Sequence, residues 1–252
     1  MIKIYLSPST QPHNLYYDKK HNEEQVMNQV TDALVAALSH FEVEVIRGSK
    51  ESTTYDRLRQ ANQLGVDYYL AIHSNAGGGR GCETFYQAGI NATPLVKARS
   101  KTYAEKINRD FAAITPSNTA TVDRGAKVRL QSDGRDWNHE LRVCTAPTNL
   151  IELDFHDNQA GAQWLISNTV KAGQTLAKSI VDLFDLKPKG QPTPEPEPTI
   201  PADHYYFVQT GAYKTLAEAQ AEASKAAKTL GQDVGIKYGS KNALKWIQSA
   251  KR

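Results

Sequence analysis

The sequence of 252 residues contains only two cysteines, Cys82 and Cys144. Two thiols cannot build a disulfide scaffold or a thiolate zinc site, so we expect both to be small buried hydrophobic residues. The sequence has no apolar run near the roughly 18–20 residues that a membrane-spanning helix requires. It also lacks a basic segment followed by an apolar one at its start, and no signal peptide is therefore predicted.

An excess of charge of one sign is also lacking. The 30 Lys and Arg residues against 27 Asp and Glu residues give a net charge of +3, which is too small to indicate a nucleic-acid partner. Hydrophobic residues make up 40% of the chain, which is enough for a core. The length allows one full domain and a smaller one. The composition predicts a globular protein with neither a nucleic-acid nor a membrane partner.

One segment marks a boundary between domains. Residues Lys187 to Pro201 are rich in Pro, Glu, Lys and Thr. Proline at this density favours an extended polyproline II conformation and does not form a packed core. The sequence thus predicts an N-terminal domain at 1–186, a linker at 187–202 and a C-terminal domain at 203–252.

The N-terminal part alternates between strand and helix patterns. Asn22 and Gln25 resemble a capping box, which places the start of the first helix near Glu23. Residues 115–149 are predicted to be mostly loop or hairpin. The predicted strands are Ile2–Leu6, Glu42–Arg47, Val66–His73, Glu83–Gln87 and Leu150–Phe155, and the predicted helices are Glu24–Leu38, Tyr55–Leu64, Leu95–Ile114 and Ala160–Leu186. This alternation predicts an α/β fold with a mostly parallel twisted sheet and helices on both faces.

Two predicted strands carry polar residues where a core strand normally has none. His73 ends an apolar strand, and ligand sites in open parallel sheets lie at the carboxyl ends of strands. Glu152 interrupts another apolar strand, where a carboxylate has to be paired, hydrogen-bonded or bound to a metal. Burial also raises the pKa of a carboxyl group, which suits a general acid or base. The alternatives are a core histidine bonded to the backbone and a buried salt bridge from Glu152 to Arg129 or Arg142.

Two more candidates lie near the start of the chain. His13 follows the first strand, and Glu24 lies in the first turn of the first helix. A hydrolytic zinc site needs three nitrogen or oxygen ligands and one open position for water, which His13, Glu24 and His73 would supply. Glu152 would then move the proton. His13 could equally be a surface residue and Glu24 a complement to the helix dipole, because the spacing of the three matches no short local motif.

Four blocks of sequence carry a family resemblance: SPSTQPHN, EEQVMNQV, YYLAIHSNAG and NLIELDFHDN. In this order they resemble the zinc-dependent N-acetylmuramoyl-L-alanine amidases of amidase family 3. The resemblance implies Zn²⁺ bound by His13, Glu24 and His73, with Glu24 preferred to Glu23 because Asn28 follows it by four residues. It also implies that Glu152 is catalytic.

The implied reaction is hydrolysis of the peptidoglycan amide between N-acetylmuramic acid and L-alanine. Arg129 and Arg142 would bind the acidic stem peptide. The first block departs from the usual Asp-Pro-Gly-His-Gly-Gly. After Glu152 the last block continues Leu153-Asp154-Phe155-His156, where the family often has Gly-Phe, so His156 is expected either near the site or as a structural residue of the strand exit. Another zinc carboxypeptidase or amidohydrolase, or a non-catalytic wall-adhesion protein, is the alternative function. The lack of a signal peptide suggests a phage or prophage endolysin, made in the host cytoplasm and released through a holin to the cell wall.

The C-terminal piece is predicted to contain strands at 205–213 and 233–238, a helix ending at Gly231 and a short helix at 242–251. The string YYFVQTGAY followed by a helix resembles the sporulation-related repeat, a peptidoglycan-binding module. Only one strand-helix-strand half is evident. Its open sheet edge and an apolar face therefore predict a homodimer that binds the wall. The residues of this face are Phe207, Val234, Ile236 and Trp246.

Overall fold

A computed structural model describes residues 1–116, 123–190, 205–208, 211–213, 216–230, 234–239 and 245–250. The chain divides into two compact units, Met1–Gly190 and Gln191–Arg252. Within the described ranges, no helix combines the length and the apolar character that crossing a membrane requires.

The N-terminal unit contains a six-stranded sheet with the strand order β2-β1-β3-β6-β4-β5. All neighbouring strands pair in parallel except β4 and β6, which are antiparallel. The elements are β1 (Ile2–Pro8), α1 (Glu23–Leu38), β2 (Val43–Arg47), α2 (Thr54–Leu64), β3 (Tyr68–Asn75), β4 (Cys82–Tyr86), α3 (Pro94–Ala112), β5 (Asp123–Lys127), α4 (His139–Val143), β6 (Thr148–Phe155), α5 (Gln159–Ser167) and α6 (Thr169–Phe184). The predicted α/β fold class is confirmed.

Alternate residues of the strands enter two separate cores, because successive side chains of a strand point to opposite faces. On one face, Leu6, Ile72 and Ile151 pack with residues of α1, α3 and α6. On the other, Tyr69 and Leu150 pack with residues of α2 and α4. The helices α1 and α6 approach so closely that a Cβ on Gly173 would lie 2.5 Å from the carbonyl oxygen of Val30.

The first long helix begins where the sequence predicts. The Asn22 side chain accepts a hydrogen bond from the Gln25 backbone N–H at 2.9 Å, which caps α1. The buried stripe of this helix includes Glu23, Met27 and Val30. Glu23 therefore points inward with the core residues, whereas Glu24 is only half-buried.

Two stretches differ from the sequence prediction. The single helix predicted over Ala160–Leu186 is interrupted at Asn168, whose ψ of 24° at φ −128° is not helical. The predicted loop region 115–149 contains β5 and the short helix α4. The Asn138 side chain caps α4 by accepting hydrogen bonds from the backbone N–H groups of Glu140 and Leu141. A side-chain cap thus sets the start of α4, whereas the break at Asn168 is set by its backbone conformation.

The C-terminal unit contains β7 (Tyr205–Val208), β8 (Gly211–Tyr213), α7 (Leu216–Leu230), β9 (Val234–Gly239) and β10 (Lys245–Ala250). Its strands form an antiparallel sheet in the order β10-β9-β7-β8. The short helix predicted at 242–251 is wrong, since Lys245–Ala250 pairs with β9 as a strand. The antiparallel pairing with the preceding strand outweighs the local helical pattern. The linker from residue 191 onward and the side chains of the predicted apolar face lie outside the described residues.

Candidate active site

His73 lies at the centre of a row of polar side chains that crosses the sheet. It is near the carboxyl end of β3, and its register partner on β6 is Glu152. Glu152 in turn is the register partner of Glu83 on the antiparallel strand β4. Because paired residues project on the same face of a sheet, the three side chains share the face that α2 and α4 cover.

Both ring nitrogens of His73 face carboxylates. Nδ1 lies 2.9 Å from Oε1 of Glu23, and Nε2 lies 3.3 Å from Oε2 of Glu140. Burial lowers the pKa of His73, but the hydrogen bonds and charges of the two carboxylates raise it well above its ordinary value. A neutral imidazole carries a single N–H, so it can donate to only one of the two oxygens. The observed arrangement therefore calls for one additional positive charge, either a second proton or a cation.

Glu140 is held by side chains from two strands, β1 and β3. Its Oε1 accepts hydrogen bonds from the hydroxyls of Ser7 and Tyr69, both at 2.8 Å. The buried guanidinium of Arg57 lies behind Ser7 and donates to the carbonyl oxygens of Pro8 and Ser49. Burial raises the pKa of Glu140, but its bonds to His73, Tyr69 and Ser7 outweigh that effect and lower it. The carboxylate is therefore ionised at neutral pH.

Glu23 is fixed in a similar way at the other side of His73. Its Oε2 accepts a 2.7 Å hydrogen bond from the Asn14 side chain, and its Oε1 accepts one from the Ser74 backbone N–H. Burial raises the pKa of Glu23, but the hydrogen bonds to His73 and Asn14 outweigh this effect, so the net shift of the pKa is downward. The Gln11 amide lies 3.3 Å from Nδ1 of His73. The loop after β1 thus reaches the site through Gln11 and Asn14.

The structure does not bring the three predicted ligands together. His13 is exposed in the loop after β1, and Glu24 is half-buried on the neighbouring turn of α1. The Asn28 side chain, whose spacing favoured Glu24, donates to the backbone carbonyl of Glu24 and accepts from Arg47. Of the two adjacent glutamates, Glu23 contacts His73, whereas Glu24 lines the same cleft as His73, so Glu23 is a competing candidate for the ligand on α1. Ligation by His13 or Glu24 stays a prediction.

Glu152 is half-buried as a residue, but one oxygen of its carboxyl group is buried and unsatisfied. Its Oε2 has no hydrogen-bond partner among the described residues. Burial raises the pKa of Glu152 to about 7, and the charges of Glu23, Glu83 and Glu140 add to this, against a lowering by His73. Within the described part of the chain, no salt bridge joins Glu152 to Arg129 or Arg142. A carboxyl group with this pKa can both accept and release a proton near neutral pH.

His156 has a structural role beside this site. It is buried, its Nδ1 lies 2.9 Å from the Ser74 carbonyl oxygen, and its ring stacks on Tyr16. The Tyr16 hydroxyl also bonds to the Ser74 hydroxyl at 3.1 Å. His156 therefore anchors the strand end that follows His73.

The side chains around His73 meet the requirements of a zinc site only in part. Within the described residues, no group of three or more His, Cys, Asp or Glu side chains is arranged to hold a metal ion. Glu23 and Glu140 contact opposite nitrogens of His73 and do not converge on one point. The pair of Glu23 Oε1 and His73 Nδ1 does fit, because two ligands of a tetrahedral zinc ion lie roughly 3.3 Å apart. A carboxylate oxygen and an imidazole nitrogen are suitable ligands for a divalent cation. Such a cation would also supply the additional positive charge that the two carboxylates around His73 call for.

The raised pKa of Glu152 predicts a pH-dependent cost in stability. The folded protein binds this proton more tightly than the unfolded chain does, so the cost appears as the pH rises from 4.5 and is complete above about 7. The shift from 4.5 to about 7 corresponds to about 3 kcal/mol of unfolding free energy. We expect Glu152→Gln to raise the Tm by roughly 5–10 °C at pH 8 and to leave it unchanged at pH 4.

Thermal unfolding in the presence of a chelator measures this effect without a bound cation. Glu44→Gln, on the exposed side of β2, is the matched control and should leave the Tm unchanged at both pH values. An equal gain for Glu152→Gln at pH 4 and pH 8 would contradict the titration of Glu152 in this range.

The comparison with known proteins identifies the family. Residues 11–182 match the family model described as N-acetylmuramoyl-L-alanine amidase, Amidase_3, and the chain belongs to this family. The sporulation-specific N-acetylmuramoyl-L-alanine amidase of Bacillus subtilis (strain 168) is 31% identical over 176 residues, which cover 68% of this chain and 57% of that protein. The amidase CwlM of Bacillus licheniformis is 28% identical over 172 residues, which cover 68% and 56%. The chain spans less than two thirds of the length of both relatives.

Solved structures share the fold. The catalytic domain of CwlV, an N-acetylmuramoyl-L-alanine amidase from Bacillus (Paenibacillus) polymyxa var. colistinus, aligns with a TM-score of 0.61 at 21% identity, covering 74% of this chain and 100% of that one. Cwp6 from Clostridium difficile aligns with a TM-score of 0.61 at 21% identity, covering 72% and 29%. These likenesses concern the α/β architecture.

Proposed function

We propose that this chain hydrolyses the amide bond between N-acetylmuramic acid and L-alanine in peptidoglycan. The observation that carries the proposal is the partly buried row of His73 and Glu152, with Glu23 on His73, in a chain of the amidase family. A bound zinc ion would supply Lewis-acid polarisation of the amide carbonyl and an activated water molecule. Glu23 and His73 would hold the ion, together with a ligand from the loop after β1, where His13 is the predicted residue.

The remaining residues orient and move protons. Glu140 lies 3.3 Å from Nε2 of His73 and would accept a hydrogen bond from an N–H there, which would leave Nδ1 free to bind a cation. Glu152 takes a proton from the attacking water and gives it to the nitrogen of the departing alanine. Its pKa of about 7 keeps both protonation states accessible during a turnover.

Digestion of purified cell walls tests the proposed reaction. We expect the turbidity to fall, and mass spectrometry to detect free stem peptides that begin with L-alanine. A chelator should abolish both signals, and added zinc should restore them. Release of single C-terminal amino acids would instead identify a carboxypeptidase, and wall binding without fragments would identify an adhesion protein.

We also propose that the C-terminal unit binds the wall as a homodimer and that the protein acts as a phage or prophage endolysin. A six-residue strand, β10, forms one edge of its sheet, and an open edge can pair with a second copy. We expect the full chain to be dimeric by light scattering at micromolar concentration, and a chain ending at Leu186 to be monomeric and to pellet less with walls. A monomeric full chain would contradict dimerisation, and equal pelleting would contradict wall binding.

A further inference from the structure

Two cavities lie beside the row of His73 and Glu152. A wide cleft of about 750 Å³ is lined by His73, Glu140 and the segment 50–55. A small cavity of about 110 Å³ is lined by Glu152 and by residues of β4, β6 and the segment 129–141. Asn138 lines both, so the two cavities are neighbours. A substrate that reaches both His73 and Glu152 therefore extends from one into the other.

The position of Glu152 fixes which part of the substrate enters the small cavity. Glu152 lines this cavity, whereas His73 lines the wide cleft. A group that protonates the leaving nitrogen must lie within hydrogen-bond reach of it. The nitrogen and the amino acid attached to it therefore belong at the small cavity, and the acyl part with its sugar belongs in the wide cleft. This orientation rests on the proposed function.

The size and walls of the small cavity restrict that amino acid. Phe85, Leu141 and Leu150 provide apolar walls. For comparison, an apolar cavity of about 150 Å³ holds one benzene molecule. A cavity of about 110 Å³ is smaller than that, so we expect it to accept an alanine side chain more readily than a leucine side chain.

A positively charged side chain, that of Arg129, lines the same cavity. The Arg129 guanidinium carbon is 3.9 Å from the centroid of the Trp137 ring, which holds the exposed side chain flat. Among the described residues, no carboxylate forms an ion pair with Arg129. Arg142 differs, because its guanidinium donates to the carbonyl oxygens of Asp136 and Trp137 and so holds the backbone of this segment. Arg129 is the cation that remains available to an anionic ligand.

We propose that the small cavity and Arg129 form a subsite for the peptide side of the substrate. The cavity takes the side chain of the first residue, and Arg129 binds a carboxylate of the second. The ligand class is a short acidic peptide that begins with alanine. Arg129 acts here as a specificity-determining residue. The hydrogen bond between its guanidinium and the carboxylate of the substrate joins two charged groups, which makes it stronger than a neutral hydrogen bond.

A pair of synthetic substrates tests the charge. They are muramyl-L-alanyl-D-glutamate and its diamide, in which both glutamate carboxylates are converted to amides. We expect the wild type to prefer the acid by about 10-fold in kcat/KM, mainly through KM, as a partly exposed charge-assisted hydrogen bond would give. Arg129→Gln should remove this preference, so that the acid and the diamide are cleaved with similar kcat/KM. Arg135→Gln, on an exposed residue paired with Asp133 in the same segment, should keep it.

A second pair tests the cavity. We expect the wild type to cleave muramyl-L-leucyl-D-glutamate at least 10-fold more slowly than the alanyl substrate, and Phe85→Ala to reduce this difference. An acid preference that survives Arg129→Gln would overturn the role of Arg129. Equal cleavage of the leucyl and alanyl substrates by the wild type would overturn the role of the cavity.

Binding of the product dipeptide L-alanyl-D-glutamate, measured by calorimetry, needs no catalysis. We expect the wild type and Arg135→Gln to bind it and Arg129→Gln to bind it about 10-fold more weakly. Failure of the wild-type chain to cleave any substrate, with this binding pattern intact, would refute the proposed reaction but support the subsite. Absence of binding to the wild type would refute the subsite.

Discussion

Glu152→Gln is expected to lower the rate of wall hydrolysis by at least ~10²-fold while leaving the protein folded and its zinc content near that of the wild type. The glutamine has nearly the same shape but cannot exchange a proton with water or with the leaving nitrogen. Since Oε2 of Glu152 has no hydrogen-bond partner among the described residues, the substitution breaks no bond seen in the structure. Steady-state rates on purified walls, with metal analysis of the same samples, measure both quantities.

Glu83→Gln is a useful control for this variant. Glu83 is the register partner of Glu152 on β4 and pairs with Lys127 and Arg124. Its loss changes the local charge without removing the proposed proton carrier, so we expect a much smaller loss of rate. Loss of zinc from Glu152→Gln would make Glu152 a ligand and would require another residue to carry the proton.

The second large effect concerns two adjacent glutamates. Glu23→Gln is expected to reduce bound zinc strongly and to lower the rate by at least ~10²-fold, because it removes a carboxylate 2.9 Å from His73. Glu24→Gln serves as the matched control, one residue along the same helix turn. Its side chain is half-buried, and we expect near-normal zinc content and rate.

Metal analysis of the purified variants, before and after dialysis against a chelator, separates the two residues. His13→Ala completes the comparison and tests the third predicted ligand directly. The opposite result, with zinc lost from Glu24→Gln and retained by Glu23→Gln, would show that α1 presents a different face to the metal when it is bound. Full activity of His13→Ala would place the third ligand elsewhere in the loop after β1.

The sequence predicted the sheet, its helices and two of the site positions because these depend on local periodicity. His73 and Glu152 each interrupt an apolar strand, which makes them visible without a structure. The inward-facing position of Glu23 could also have been predicted, since it lies three, four and seven residues before Val26, Met27 and Val30 on the buried stripe of α1. The spacing of Glu24 and Asn28 was preferred instead, and the structure assigns the side chain of Asn28 to the backbone of its own helix.

Glu140 could not be predicted in the same way. Its helix has five residues, too few for a periodic pattern, and the surrounding sequence is rich in turn-forming residues. Its partners Ser7, Tyr69 and His73 are 133, 71 and 67 residues distant in the chain, so only the fold brings them together. Such contacts leave no signal in a single sequence.

The way in which the segment 129–143 is attached affects how the substrate selectivity of such a site can change in evolution. It runs out from the sheet, turns back through the hydrogen bond between Gln131 N–H and the Arg135 carbonyl oxygen, and is fastened by Arg142. It contributes Trp137 and Arg129 to one cavity, while its Glu140 contacts His73 in the catalytic row. Evolution can therefore exchange the outer part of this segment and retune which peptides are cleaved, as long as Glu140 keeps its position. Selectivity and chemistry are thereby inherited through separate parts of the chain.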